Sequence, residues 1–223
     1  MTWHPGRKVS SKVLKQNALA AHPQIAPHIP YTLAFNASNL KLMLVKYRMV
    51  FVKPIKGSLG KGVIQVTKIE GGYCYKVDSK KYTVKSYDSL VKGLASKKLK
   101  RAYIIQQGID LLRIDGSPVD YRVKYCIDNG VWNYRVILAR VAGPGYAITN
   151  LSKGGRKLDC NLAIKQTLGS DAISQTISEM KHLTRLCTSV LEQRFPGLTH
   201  LGYDYGIDKN GKIWIFEVNT SPN

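Results

Sequence analysis

Residues 199–208 and 212–219 are two runs rich in β-branched and aromatic side chains that meet around Asp208-Lys209-Asn210-Gly211-Lys212. Asn-Gly between two such runs is a strong short-range signal for a β-hairpin. With Asn210 and Gly211 as the central pair of a type I′ turn, Lys209 stands opposite Lys212 and, further along, Asp204 opposite Glu217. Asn219 shares the face of Glu217 because side chains alternate along a strand. Ile213, Trp214, Ile215, Phe216 and Val218 read as a strand buried on both faces, and opposed carboxylates in such a place need a positive partner. Two carboxylates and an amide are hard oxygen donors of the kind Mg²⁺ takes, so Asp204, Glu217 and Asn219 are candidate metal ligands. The alternative is an exposed edge carrying paired surface charges.

Charge narrows the partners. Among 223 residues there are 34 Lys and Arg against 14 Asp and Glu, a formal net charge of +20, and no acid precedes Glu70. Such a field draws polyanions: a nucleotide, a nucleic acid, or an acidic peptide or polymer. With 44% hydrophobic and 22% charged residues, the composition is that of a globular protein rather than a disordered or fibrous one. Cys74, Cys126, Cys160 and Cys187 lie far apart without metal-ligand spacing and read as reduced core cysteines. No apolar run approaches the ~20 residues a membrane helix needs, and the basic N-terminus lacks the apolar stretch of a signal peptide. These features predict a cytoplasmic protein with no membrane partner.

Residues 12–22 read as a helix ending before Pro23, followed by a loop stiffened by Pro23, Pro27 and Pro30 and a short helix over 40–46. Residues 49–54 and 63–66 form strand-like runs around a glycine-bearing loop, with further strands at 72–77 and 81–85. Ser86 can cap a helix carrying Leu90, Val91, Leu94 and Leu99, and 103–107 is a buried strand. Residues 120–128 and 131–141 alternate around Asp128-Asn129-Gly130, a hairpin signal, and 142–158 read as a loop. Ser170 can cap the longest helix, with Ile173, Ile177, Met180, Leu183, Leu186, Val190 and Leu191 at helical spacing until Pro196-Gly197. The chain is therefore expected to be α+β, with mostly antiparallel sheets in two lobes, 1–105 and 106–223.

Lys53 precedes Gly57-Ser58-Leu59-Gly60-Lys61-Gly62, where glycines let backbone amides wrap phosphate oxygens and lysines supply charge. It is not a Walker A loop, because Gly60-Lys61-Gly62-Val63 opens a strand rather than a helix. Asp120-Tyr121-Arg122, Arg140 and the Asn150 to Gly155 loop accompany it, and arginines on facing strands can clamp phosphate or carboxylate oxygens.

Taken in order, these residues resemble the ATP-grasp enzymes: Val52-Lys53-Pro54 with the glycine loop, Gln106-Gln107 before Ile109, Asp120-Tyr121-Arg122, the Asn150 to Gly155 loop, Asp204, and Glu217-Val218-Asn219. Val50 to Pro54, Gly57 to Gly62 and the lead-in from Lys12 through Pro30 are similar to the YheC/YheD-like endospore coat-associated branch. The resemblance covers nearly the whole chain. It implies the ATP-grasp fold, with ATP held between two antiparallel-sheet lobes. Lys12 and Lys53 would hold phosphates under a lid formed by Gly57, Ser58, Gly60, Lys61 and Gly62. Gln106, Gln107 and Ile109 would present backbone to adenine, with Asp110 near the ribose and Asn150 in the nucleotide site. Arg122 and Arg140, with Lys53, would steady the transferred phosphoryl group, and Asp204, Glu217 and Asn219 would hold Mg²⁺, or Mn²⁺ in its place.

The family's usual reaction joins a carboxylate to an amine or other nucleophile through an acyl phosphate. Many of its ligases carry an additional N-terminal α/β domain, for which this chain has little room, and relatives usually continue past the metal motif. A spore-associated protein that binds nucleotide without ligating is therefore the second reading. The third, a nucleic-acid-binding module, rests on the +20 charge alone, because no zinc finger, RNP-like aromatic pattern or helix-turn-helix accompanies it.

Overall fold

The computed structural model describes residues 6–57, 60–149 and 151–220. Two compact units interleave along the chain. Unit 1 comprises the described residues of Met1–Ile29, Leu111–Val141 and Arg156–Asn223, and unit 2 those of Pro30–Asp110 and Ala142–Gly155. The division thus differs from a single cut near residue 106. The N-terminal helix belongs with the C-terminal sheet because Thr220 Oγ1 accepts from Val9 N at 2.9 Å and the helix packs on the last strand and longest helix.

Unit 2 is built from β1 (Thr32–Ala34), α2 (Ala37–Tyr47), β2 (Met49–Pro54), β3 (Ile64–Ile69), β4 (Gly72–Val77), β5 (Lys80–Val84), α3 (Tyr87–Lys97) and β6 (Tyr103–Gln107), preceded in the chain by α1 (Lys12–Ala20) of unit 1. Its six strands run in the order β1-β6-β2-β3-β4-β5, all pairs antiparallel. One face is apolar by strand alternation: Val50, Val52, Ile64, Val66 and Ile105 pack beneath Leu40, Met43 and Leu44 of α2 and Leu90 and Leu94 of α3. Asn36 caps α2 and Ser86 caps α3, each side chain accepting from the backbone N–H three residues on. Helix α3 ends at Lys97, so Leu99 lies outside it and is exposed.

Unit 1 contains α1, β7 (Arg113–Ile114), β8 (Ser117–Asp128), β9 (Val131–Val141), β10 (Arg156–Asp159), α4 (Cys160–Leu168), α5 (Ala172–Arg194), β11 (His200–Ile207) and β12 (Ile213–Asn219). The sheet order is β10-β9-β8-β11-β12, with β7 paired to β8, again antiparallel throughout. Tyr121, Tyr203 and Tyr205 point into the core, where the hydroxyls of Tyr203 and Tyr205 meet Thr188 and Thr184 of α5 at 2.7 and 2.8 Å. All four cysteines are buried and free.

Three expectations for this unit change. The stretch 142–158 is not wholly loop, because 156–159 pairs with β9 as β10, and Asp159 then caps α4, accepting from Leu162 N. Ser170 does not cap α5 with its side chain; its carbonyl accepts from Ile173 N, and Asp171 occupies the cap position without a side-chain bond. β12 buries only Ile213, Ile215 and Val218 and leaves Trp214, Phe216, Glu217 and Asn219 half-buried, so it has one core face rather than two.

Candidate functional site

The hairpin β11–β12 decides where the acidic residues point. Its turn is not the two-residue type expected. Gly211 N donates to Asp208 O and Asp208 N to Lys212 O, so Lys209, Asn210 and Gly211 form a three-residue loop with Gly211 at φ +81. The Asp208 carboxylate fixes this turn by accepting from Asn210 N, Lys212 N and Trp214 Nε1. Tyr205 consequently pairs with Ile215, one residue out of step with the expected register. Between Tyr205 and Asp204 the register shifts, Phe216 is passed over, and Asp204 stands opposite Glu217 after all. This β-bulge reverses the alternation of β12. Without it Glu217 would share the core face of Ile213 and Ile215; with it Glu217 and Asn219 turn to the opposite face.

That face carries two rows in register across the sheet. Asp159, Leu138, Arg122, Asp204 and Glu217 form one, and Lys157, Arg140, Asp120, Gly206 and Trp214 the next. Arg140 makes a forked pair with Asp120, Nε to Oδ1 and Nη2 to Oδ2, both at 2.7 Å, and its Nη2 also reaches Asp204 Oδ1 at 2.8 Å. Arg122 Nη1 donates to the same Asp204 oxygen at 2.8 Å. With its amide in the orientation its neighbours require, Asn219 donates to Glu217 Oε1 at 2.9 Å and accepts from Arg122 Nη1 at 3.2 Å. Burial lowers the pKa of Arg140, but Asp120 and Asp204 outweigh it and hold the guanidinium above its ordinary value.

Helix α1 closes the other end of this cluster. Ser11 caps it, and Lys12, its first residue, donates from Nζ to Glu217 Oε2 at 3.0 Å. The family resemblance implies a phosphate role for Lys12; in the structure its Nζ is paired with Glu217. Lys15, three residues on and therefore on the same helix face, is buried, and its Nζ donates to Val9 O at 2.5 Å. Burial holds the Lys15 ammonium below its usual pKa, with Glu217 opposing and Lys12 reinforcing that effect. Lys15 and Asp120 lie outside the site residues that the sequence points to. The i, i+3 spacing from Lys12 marks the first, and adjacency to Tyr121-Arg122 marks the second.

Unit 2 gathers a second group. Thr32, Gln106, Phe51, Gln65, Lys76 and Lys81 form one row across its six strands, on the face away from α2 and α3. Lys53 shares that face by alternation with Phe51, and its Nζ donates to Gln106 Oε1 at 2.5 Å. Gln107 exchanges hydrogen bonds with Tyr31, Gly108 N donates to Met49 O, Ile109 is buried and Asp110 exposed. In the glycine loop Gly57, Gly60 and Gly62 have φ of +149, +65 and +76, and Lys61 is exposed. A Cβ on Gly62 would lie 2.8 Å from the Tyr103 hydroxyl, so the residue must be glycine on two counts. Ser58 and Asn150 lie outside the described residues.

No cluster of three or more His, Cys, Asp or Glu exists among the described residues, so a metal here would rest on two carboxylates and an amide. The donors fit a hard divalent cation: Asp204 and Glu217 are directly opposite, and both arginine bonds to Asp204 fall on Oδ1, leaving Oδ2 without a hydrogen bond among the described residues. Among the described residues no helix is long and apolar enough to cross a membrane.

Known proteins show which family and fold the chain shares. The chain is 30% identical over 217 residues to the endospore coat-associated protein YheD of Bacillus subtilis (strain 168), covering 92% of this chain and 46% of YheD. It is 25% identical to the endospore coat-associated protein YheC of the same organism, covering 97% of this chain and 61% of YheC. It therefore spans about half the length of one curated relative and somewhat more of the other. Among solved structures, D-alanyl-alanine synthetase A from Vibrio cholerae matches with a TM-score of 0.56 at 16% identity, covering 96% of this chain and 55% of that one. Carboxyaminoimidazole ribonucleotide synthase from Aspergillus clavatus, complexed with ATP, matches at 0.58 and 12% identity, covering 97% of this chain and 46% of that one. These neighbours show the same fold, and the family model for YheC/D like ATP-grasp matches residues 5–223. The chain belongs to the YheC/D-like ATP-grasp family.

Proposed function

We propose that the protein binds Mg-ATP and joins a carboxylate to an amine or another nucleophile through an acyl phosphate. The observation that carries this reading is the charge-balanced, partly buried cluster on the face of the unit 1 sheet away from α5, in which Asp120, Asp204 and Glu217 face Lys12, Arg122 and Arg140. Asp204, Glu217 and Asn219 would hold Mg²⁺, which supplies charge neutralisation for phosphate oxygens. Arg122 and Arg140, fixed by their carboxylates, would meet the negative charge of the phosphoryl group in transfer without reorganising. For the nucleotide, the reading assigns Lys53, held by Gln106, and the glycine loop around Lys61, with Gln107 to Asp110 at the base and sugar.

In the reaction a carboxylate oxygen of the acceptor bonds to the terminal phosphorus of ATP, and the bond from that phosphorus to the ADP oxygen breaks. The nucleophile then bonds to the acyl carbon, the phosphate departs with the C–O electron pair, and the nucleophile's proton is lost to solvent. The net charge of +20 suits an acidic acceptor, such as an acidic peptide or polymer. The names of the two curated relatives favour a place with the endospore coat.

The test is thermal unfolding with and without Mg-ADP, for wild type and Glu217→Gln. Ligand at 100 times its dissociation constant adds about 2.7 kcal/mol, and each kcal/mol moves the midpoint of a chain this size by roughly 2–4 °C. A Mg²⁺-dependent rise of several degrees that the variant loses supports the reading. A rise equal in both proteins removes Glu217 from the site, and no rise in either rejects nucleotide binding.

A further inference from the structure

The three cations of the unit 1 cluster are not held alike. Arg140 makes three hydrogen bonds to two carboxylates, and Arg122 engages both Asp204 and Asn219. Lys12 makes a single hydrogen bond, to Glu217 Oε2, from the end of a flexible four-carbon stem. Its surroundings are also the least favourable to a cation. It is the first residue of α1, where the helix dipole is positive and no acid stands in the first turn, and Lys15 lies on the same helix face. Of the three positive charges, Lys12 is the one whose contact is most readily exchanged.

We infer that Lys12 is a resident counter-ion of Glu217 that a divalent cation must displace, and that it thereby sets the metal affinity of the site. The inference rests on the metal assignment proposed above. Glu217 is engaged at both oxygens, Oε1 by Asn219 and Oε2 by Lys12. A cation bound by Asp204 and Glu217 therefore meets an ammonium already at Glu217, and two cations on one carboxylate repel. Binding of the metal includes the work of moving that ammonium away. A purely structural salt bridge makes the opposite forecast: without Lys12, Glu217 loses its anchor and the metal gains nothing.

Direct Mn²⁺ titration followed by electron paramagnetic resonance, without nucleotide, separates the two for wild type, Lys12→Met, Lys12→Arg and Glu217→Gln. Lys12→Met keeps the stem and removes the charge, and it should bind Mn²⁺ roughly five- to tenfold more tightly than wild type, the equivalent of one partly buried ion pair. Lys12→Arg keeps the charge and should stay near wild type, while Glu217→Gln should lose binding. Detectable binding in Lys12→Met alone would equally support the inference. If Lys12→Met binds no more tightly than wild type while Glu217→Gln abolishes binding, the metal site stands and the counter-ion role falls. If none of the four proteins binds Mn²⁺, both fall. Lys12→Gln gives the same comparison should methionine impair folding.

Discussion

Asp204 stands opposite Glu217 only because Phe216, one residue before Glu217, is left out of the ladder. The displaced ring lies over Gly206: a Cβ placed there would come within 2.4 Å of the ring and 2.6 Å of Leu111. Gly206 is therefore the floor on which the bulge rests, in the row beside Asp204.

Gly206→Ala should cost about 1–3 kcal/mol, the usual cost of overpacking. Phe216→Ala removes the clash with the ring but not that with Leu111, so adding it to Gly206→Ala should cost less than the two single losses combined. A double-mutant cycle by chemical denaturation measures this coupling. Strict additivity would show that the ring does not rest on Gly206.

Arg140 ties Asp120 to Asp204, and its removal strands negative charge that the sheet has partly buried. Arg140→Met should destabilise by about 3–5 kcal/mol, the range for breaking a buried pair by deleting one partner. Arg140→Lys should recover little, since an ammonium cannot fork to both oxygens of Asp120. Asp120→Asn in the Arg140→Met background should recover part of the loss. Equal stability of Arg140→Met and wild type would mean that water replaces the guanidinium at no cost.

The pairing of Asp204 with Glu217 was legible in the sequence, but for a reason that the structure replaces. Asn210-Gly211 suggested a two-residue turn, whereas Asp208, by accepting from Asn210 N and Lys212 N, selects three residues, and the bulge at Phe216 restores the register. Neither device leaves a mark in apolar alternation. Caps were legible where a side chain reaches its own helix, as with Ser86, and misleading at Ser170, whose backbone carbonyl does the work. Helix α4 is absent from the sequence reading although Asp159 caps it and Cys160, Ala163 and Ile164 stand at helical spacing, because nine residues carry too weak a periodicity to stand out. The return of α1 to the last strand was out of reach, since the bonds between Val9 and Thr220 span nearly the whole chain.

Lys53 and Gln106 form the corresponding test in unit 2. Gln106 is buried and its Oε1 accepts from Lys53, so Gln106→Leu should cost about 1–3 kcal/mol by leaving the ammonium without that acceptor. Lys53→Met should cost less, because an apolar stem can still cover Phe51, whose ring centroid lies 5.4 Å from Nζ. The order should reverse for ligand: Lys53→Met abolishes the thermal shift with Mg-ADP, while Gln106→Leu only reduces it. An undiminished shift in Lys53→Met would remove Lys53 from the nucleotide site.

Alkaline pH should loosen unit 1 from within. Burial pushes the Cys160 and Cys187 thiols up to about 12, with Asp159 adding to the effect at Cys160. Burial also raises Tyr203 and Tyr205 well above the ordinary tyrosine value, with Cys187 reinforcing both. A thiol whose pKa is raised on folding contributes stability that is whole below the unfolded value near 9 and is lost as pH climbs toward 12. In that window each such thiol steepens the loss by up to about 1.4 kcal/mol per pH unit. Urea denaturation at pH 8, 9 and 10 should therefore show stability nearly level over the first step and falling over the second. Cys187→Ala starts lower, since it opens a small cavity in the core, but between pH 9 and 10 it should lose less than wild type. An identical slope in the two proteins would show that the Cys187 thiol titrates in the fold as freely as in the unfolded chain.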